Sequence, residues 1–287
     1  MDKVIFGDNQ FFGVNHMSEQ TAIKQAQKFK TADDIYKTLE YVNRIGIKSF
    51  MFTTHNQLEP VLGMMKANPQ FDDFKLYPCM PYAHKYAEAM VELGIFEAIS
   101  KFTPGNKLVA GLKGVGSVIT SNPTPMMKLL VDSEMKLLEG MNVKGIMLLN
   151  IVTDLLLGLG MHDMLLEFSK YTQKRYNVKA GFFTMNHEKL HDVLVNELGI
   201  ENPIIISDIN KIGFRMNPSK DNVEKTLEKK DSINIAMSIL ASGAIKPKDA
   251  VDYIKSIDGV HSVLFGASTF EHIKETKELL EKEFSSI

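Results

Sequence analysis

The chain has no tryptophan and a single cysteine, and it carries neither an excess of one charge nor a long unbroken apolar run. One thiol, Cys79, excludes an intrachain disulfide and is compatible with a reducing cytoplasm. The 33 basic and 35 acidic residues leave a formal net charge of −2, so no electrostatic footprint points to nucleic acid or to an anionic membrane surface. The most apolar stretch, Gly145 to Met161, is interrupted by Asn150, Thr153 and Asp154 and is too short for a membrane span. Near the start, Gly7, Asp8 and Asn9 break the apolar run before it could serve as an export signal. No low-complexity tract reads as a linker. No G-x-G-x-x-G follows the first candidate strand, because the Gly111–Gly116 cluster has a different spacing. These absences predict a cytoplasmic protein with a small-molecule ligand, without a nucleic-acid or membrane partner. They leave the oligomeric state open.

Short apolar runs alternate with longer helical patterns, the signature of βα units around a parallel sheet. Candidate strands fall at Val4–Gly7, Lys48–Phe52, Lys75–Cys79, Leu108–Leu112, Gly145–Leu149, Lys179–Phe183, Pro203–Ile206, Asn234–Ile239 and His261–Phe265. Helical stripes join Ile35, Leu39 and Val42, then Leu190, Leu194 and Leu198, and Phe270–Phe284 closes the chain. The chain has 287 residues, and a (β/α)8 TIM-type barrel needs roughly 250. The expectation is one such barrel spanning residues 1–287, with a doubly wound open sheet as the alternative. A barrel has eight strands, so either the first candidate or Leu108–Leu112 is expected to lie outside it. The 17 methionines, including Met64-Met65 and Met126-Met127, read as adaptable core filling.

The last strand runs through Val260-His261-Ser262-Val263-Leu264-Phe265 into Gly266-Ala267-Ser268-Thr269 and then a helix. Backbone N–H groups and a helix N-terminus at such a junction favour an anion, and barrels often hold phosphate there. Ser242-Gly243, in the preceding βα loop, joins this candidate seat. Ser268 and Glu271 have capping-box spacing, which would start the helix without excluding a ligand.

Ala32-Asp33-Asp34 through Glu40, Gly46-Ile47 and Phe52-Thr53-Thr54 resemble the first helix and second strand of the aldo/keto reductases. Ala241-Ser242-Gly243-Ala244-Ile245-Lys246-Pro247 and Phe265-Gly266-Ala267-Ser268 resemble that family's C-terminal part. The resemblance implies a barrel holding the adenosine phosphate of NADPH at Gly266, Ser268 and Thr269. It also marks departures. The family's catalytic Asp falls on Thr53, its Tyr on Leu58 and its His on Asn150, with Lys113 the loose candidate for its Lys. Carbonyl reduction by that tetrad is not written in this chain.

Present instead are polar residues just after candidate strands: Asn15-His16, His55-Asn56, Tyr82-Ala83-His84 and Asn186-His187. Strand C-termini meet at one mouth, where His16, His55, His84, Asn150, His187 and Asp208 would converge. Neutral imidazoles with a carboxylate suit a divalent metal, with His16, His55, His187 and Asp208 as candidate ligands. A metal-free pocket with His55, His84 or His187 as acid or base is the other reading. Lys113 is a candidate Schiff-base or anion-binding lysine. Arg215, between Phe214 and Met216, reads as a bidentate contact for phosphate or carboxylate, or as a surface Arg lying over apolar neighbours. The loops Val115–Pro125 and Lys211–Asn222 are candidate mouth covers. Three function classes stay open: a divergent NADPH-dependent oxidoreductase; a metal-assisted or metal-free lyase, isomerase or hydrolase of a small phosphorylated or carboxylated substrate; and a non-catalytic ligand-binding barrel.

Overall fold

Eight of the nine candidate runs form parallel strands closed into one ring in the computed structural model, which describes residues 1–14, 19–82 and 123–284. They are β1 (Val4–Phe6), β2 (Ser49–Thr53), β3 (Lys75–Met80), β4 (Gly145–Leu148), β5 (Lys179–Thr184), β6 (Ile204–Asp208), β7 (Ile233–Met237) and β8 (Val260–Phe265). The first candidate is therefore a barrel strand: Val4, Ile5 and Phe6 pair with Val263, Leu264 and Phe265 to close the ring. Leu108–Leu112 lies outside the described residues, and the barrel closes without it. The open doubly wound sheet is excluded by this closure.

The helices are α1 (Glu19–Lys28), α2 (Ala32–Arg44), α3 (Glu59–Lys66), α4 (Thr124–Met135), α5 (Asn150–Gly158), α6 (Asp163–Tyr176), α7 (His187–His191), α8 (Lys220–Leu227), α9 (Pro247–Ser256) and α10 (Phe270–Phe284). Local chemistry sets their starts. Thr31 caps α2 through a reciprocal capping box: its hydroxyl accepts the Asp34 N–H at 3.2 Å, while the Asp34 carboxylate accepts the Thr31 N–H at 2.9 Å. The Ile35, Leu39 and Val42 stripe that follows is buried. The Leu190, Leu194 and Leu198 stripe is carried by α7 and by the π-helical segment Asp192–Glu197 into which it runs, with Leu190 and Leu194 in the core.

Strand alternation sorts side chains into two layers. Phe6, Phe50, Phe52, Leu76, Ile146, Phe182 and Ile205 pack outward under the helices. Ile5, Met51, Tyr77, Cys79, Met147, Ile204, Ile206 and Ile235 fill the barrel itself. Met147 occupies space that only glycine leaves free on both neighbouring strand positions. A Cβ on Gly181 would stand 2.2 Å from its sulfur, and one on Gly145 2.6 Å from its terminal methyl. The N-terminal end of the barrel is tied by Asp2, whose carboxylate accepts bonds from Lys75 and Ser49. Among the described residues no helix is long and apolar enough to cross a membrane.

Gly259, just before β8, has φ 86° and would place a Cβ 2.1 Å from the Leu227 carbonyl oxygen. Gly243 is also left-handed (φ 96°) but faces open space. In urea denaturation, Gly243→Ala is expected to cost about 1 kcal/mol, the left-handed penalty alone. Gly259→Ala adds a backbone clash and is expected to cost at least about 3 kcal/mol. The opposite order would contradict this account of the β8 entry.

Candidate functional site

The C-terminal ends of the strands build a mouth with an apolar floor and a polar ring. Leu149, Phe183, Met237 and Leu264 continue the interior cluster upward and remain partly exposed there. Around them stand Asp8 after β1, Thr53 and His55 at β2, Tyr82 after β3, and Asp208 at the end of β6.

Asp8 is buried against β2. One of its carboxylate oxygens accepts the Thr53 backbone N–H at 2.7 Å and the Thr53 hydroxyl at 2.6 Å. Burial nevertheless dominates and pushes its pKa up to about 6. Thr53 is the position on which the aldo/keto reductase Asp falls, so a carboxylate reaches the same corner of the mouth from the neighbouring strand. His55 lies parallel to the Phe12 ring at 4.3 Å and 4.9 Å from the Tyr82 ring, while its Nδ1 accepts the Gln57 N–H at 3.1 Å. That acceptor role fixes the proton on Nε2 when the ring is neutral. Below this wall the fully buried Glu134 of α4 accepts bonds from the Thr54 hydroxyl and, at 3.0 Å, from the Tyr82 N–H. It ties α4 to the ends of β2 and β3.

On the far side of the ring, the Asp208 side chain is 1% exposed, and neither of its oxygens makes a hydrogen bond of good geometry among the described residues. Burial raises its pKa to about 6, and the nearby Ser238 hydroxyl and Arg215 guanidinium pull it back only in part. The Arg215 Nε stands 3.8 Å from Asp208 Oδ2, and its Nη2 donates to the Met185 sulfur at 3.1 Å. Arg215 holds a left-handed backbone (φ 58°), which its own side chain does not favour. Asn210 imposes it: the buried amide donates to the Phe214 carbonyl and accepts the Phe214 N–H, both at 2.8 Å. Of the three cations in the expected Lys211–Asn222 cover, Lys211 pairs with Asp249 and Lys220 with Glu224. Arg215 alone of the three turns to the mouth.

His187 does not join this ring. It begins α7 with its ring turned to the outward-facing side of β6, where Nδ1 meets the Ser207 hydroxyl at 2.9 Å, and the residue is 1% exposed. Burial drives its pKa down to about 3, with His191 and Lys229 adding repulsion, so it is a neutral histidine of the strand–helix layer. Among the described residues the candidate metal ligands are not brought together. His16 lies outside the described residues, His187 faces the helix layer, and β2 and β6, which carry His55 and Asp208, stand opposite one another in the ring. Among the described residues no three His, Cys, Asp or Glu side chains are grouped to hold a metal ion. His84 and Lys113 also lie outside the described residues, as does most of Val115–Pro125. Leu58, at the family's Tyr position, is in the core, and Asn150 opens α5.

The candidate anion seat is narrower than its sequence suggests. A Cβ on Gly266 would meet the Gln10 Oε1 at 2.0 Å, so that amide packs closely against this glycine and would have to shift for any larger residue. Gln10 Nε2 donates to the Gly7 carbonyl at 2.7 Å, and Oε1 is buried without a partner among the described residues. In the loop after β7, the N–H groups of Ala241, Gly243, Ala244 and Ile245 donate to carbonyls of Ser238, Leu240 and Ala241. Ser238, Ala241 and Ser242 hold positive φ there. Those donors are spent within the loop. Thr269, not Ser268, caps α10, its hydroxyl accepting the His272 N–H at 3.2 Å. What is left of the candidate seat is Ser242, Gly266, Ala267, Ser268 and the first turn of α10, where a helix leaves N–H groups unsatisfied. These residues fit a single phosphate group held by backbone donors.

Sequence reasoning missed Asp8, Glu134 and Asn210. Asp8 follows a short strand and a glycine, a detectable signal. Asn210 and Glu134 act through contacts that no local pattern reveals.

No protein-family model and no curated protein matches the sequence. Its fold is that of solved structures. One, described as a "putative aldo-keto reductase" of Pseudomonas aeruginosa, aligns over 99% of this chain and 91% of its own with a TM-score of 0.59 at 10% identity. A second structure so described, from the same organism, aligns over 99% and 90% with the same score and identity. The chain is an aldo/keto-reductase-like (β/α)8 barrel, a statement of fold.

The neutral His187 contributes stability that is present above pH 6.5 and is lost as pH falls toward about 3, because below 6.5 only the unfolded chain takes up its proton. Asp8 and Asp208 act oppositely between about pH 6 and 4, where the folded state holds the extra protons. Urea denaturation of His187→Gln against the parent is expected to show a flatter loss of stability from pH 6.5 downward. An unchanged slope would contradict a neutral buried imidazole.

Proposed function

We propose that this chain is an enzyme that transfers a proton at the barrel mouth, with Asp208 as the acid–base group and Asp8 as the second carboxylate. Asp8 stands against Thr53, where the family's Asp is missing, and Asp208 stands across the mouth at the end of β6. The observation that carries this reading is the buried carboxylate of Asp208, which has no hydrogen bond of good geometry among the described residues and lies at the edge of a partly exposed apolar floor. A structural carboxylate buried this deeply normally accepts several hydrogen bonds. One left under-satisfied, with its pKa raised toward neutrality, is arranged for proton exchange with a ligand. His55, with Nε2 as its second ring nitrogen, and the Tyr82 ring supply a wall for the ligand on the opposite side.

A second reading, reduction with NADPH, is favoured by the fold likeness and by Ala267 and Ser268 at the exposed first turn of α10. The dinucleotide would supply a hydride; Ala267, Ser268 and the α10 backbone would hold its phosphate, and Asp208 would hold the proton.

The first of two measurements tests Asp208, and the second separates the readings. At pH 8 the charged Asp208 opposes folding, since its folded pKa lies above the ordinary value; Asp208→Asn is therefore expected to stabilise the protein by roughly 2 kcal/mol in urea denaturation. A destabilised variant would make Asp208 structural and overturn the acid–base assignment. In a titration followed by NADPH fluorescence, undisturbed by any tryptophan, saturable binding weakened at least about tenfold by Ser268→Glu supports the reductase. No binding at millimolar nucleotide removes the cofactor and leaves proton transfer on a small substrate.

A further inference from the structure

We infer that Arg215 is a specificity-determining residue that binds the carboxylate of a small substrate over the apolar floor of the mouth, next to Asp208. The inference deepens the proton-transfer reading, on which it rests for the role of its neighbour.

Three groups fix the surroundings of this guanidinium. Asn210 holds the loop so that Arg215 is left-handed and turned inward. Asp154 of α5 fixes the neighbouring wall, accepting the Thr184 hydroxyl at 2.6 Å and the Met185 N–H at 2.9 Å. Asp208 stands behind, fully buried. Among the described residues the guanidinium so placed is under-used. Of its five donors, one meets a thioether sulfur, a weak acceptor, and Nε is 3.8 Å from the carboxylate, beyond hydrogen-bond range. Its side chain is still 27% exposed, so a ligand can reach it.

A surface arginine lying over apolar neighbours would keep its charged head in water. Here a disfavoured backbone conformation, maintained by a buried amide, directs the head toward the mouth. The rigid fork of a guanidinium matches a planar carboxylate in two parallel hydrogen bonds. The floor beneath it, Phe183 and Met237, suits a short apolar or carbonyl-bearing body. A small monocarboxylate therefore matches the site: its anionic end on Arg215, its body on the floor, and its reacting atoms beside Asp208.

Met185 provides the readout, because its sulfur touches the guanidinium. With [methyl-13C]methionine-labelled protein, pyruvate is expected to shift the Met185 resonance saturably. Arg215→Lys, which keeps the charge and loses the fork, is expected to weaken binding at least about tenfold. Asn210→Ala is expected to weaken it about fivefold, with an unchanged fold by circular dichroism. No saturable shift with pyruvate, a response to inorganic phosphate alone, or equal binding by Arg215→Lys would overturn the assignment. The same titration on Asp208→Asn separates the two proposals. Pyruvate binding retained in a variant that is less stable than the parent upholds the Arg215 seat and removes the acid–base role; stabilisation by Asp208→Asn without pyruvate binding does the reverse.

Discussion

The pairing of β1 with β8 is the contact on which the rest depends. Three residues of the first strand meet three of the last, and the Phe6 and Phe265 rings pack edge to face at 5.7 Å behind them. Closure removes both sheet edges, commits alternate side chains to the inside, and brings eight strand ends to one mouth. Without it Asp8 and Asp208 would lie at distant points of an open sheet.

Closure also explains the unusual state of Asp208. The interior positions of β6 are Ile204, Ile206 and Asp208, so the carboxylate continues an apolar column and inherits its desolvation. Its nearest cation is held at 3.8 Å by a separately clamped loop, close enough to lower its pKa in part and too far for a hydrogen bond. Asp8 shares the burial but is answered by two donors on Thr53. The same residue type thus meets two environments, one answered by two close donors and one only weakly answered, by Ser238 and Arg215, among the described residues.

Much of the fold was legible in the sequence, because burial on both faces of a parallel strand writes short apolar runs that survive reading without a structure. The ambiguity between Val4–Gly7 and Leu108–Leu112 arose because β1 is only three residues long, and its pairing partner lies at the other end of the chain. The site was less legible. Asp208 and Arg215 were found because each follows a strand or sits in a polar loop. His187 was placed at the mouth by the same rule, but the first turn of α7 carries it to the outer side of β6. At Gly266 the structure adds a contact that the sequence does not reveal, the amide of Gln10, more than 250 positions away. What the sequence withholds is side-chain direction after a strand ends, which is set by long-range packing.

The most direct test of this account is the site-specific pKa of Asp208, measured by carboxylate 13C NMR titration with Asp208→Asn for assignment. The structure predicts a midpoint near about 6. Titration at the ordinary aspartate value, about 4, would mean that the carboxylate is solvated or fully hydrogen-bonded, and would contradict an acid poised at the mouth.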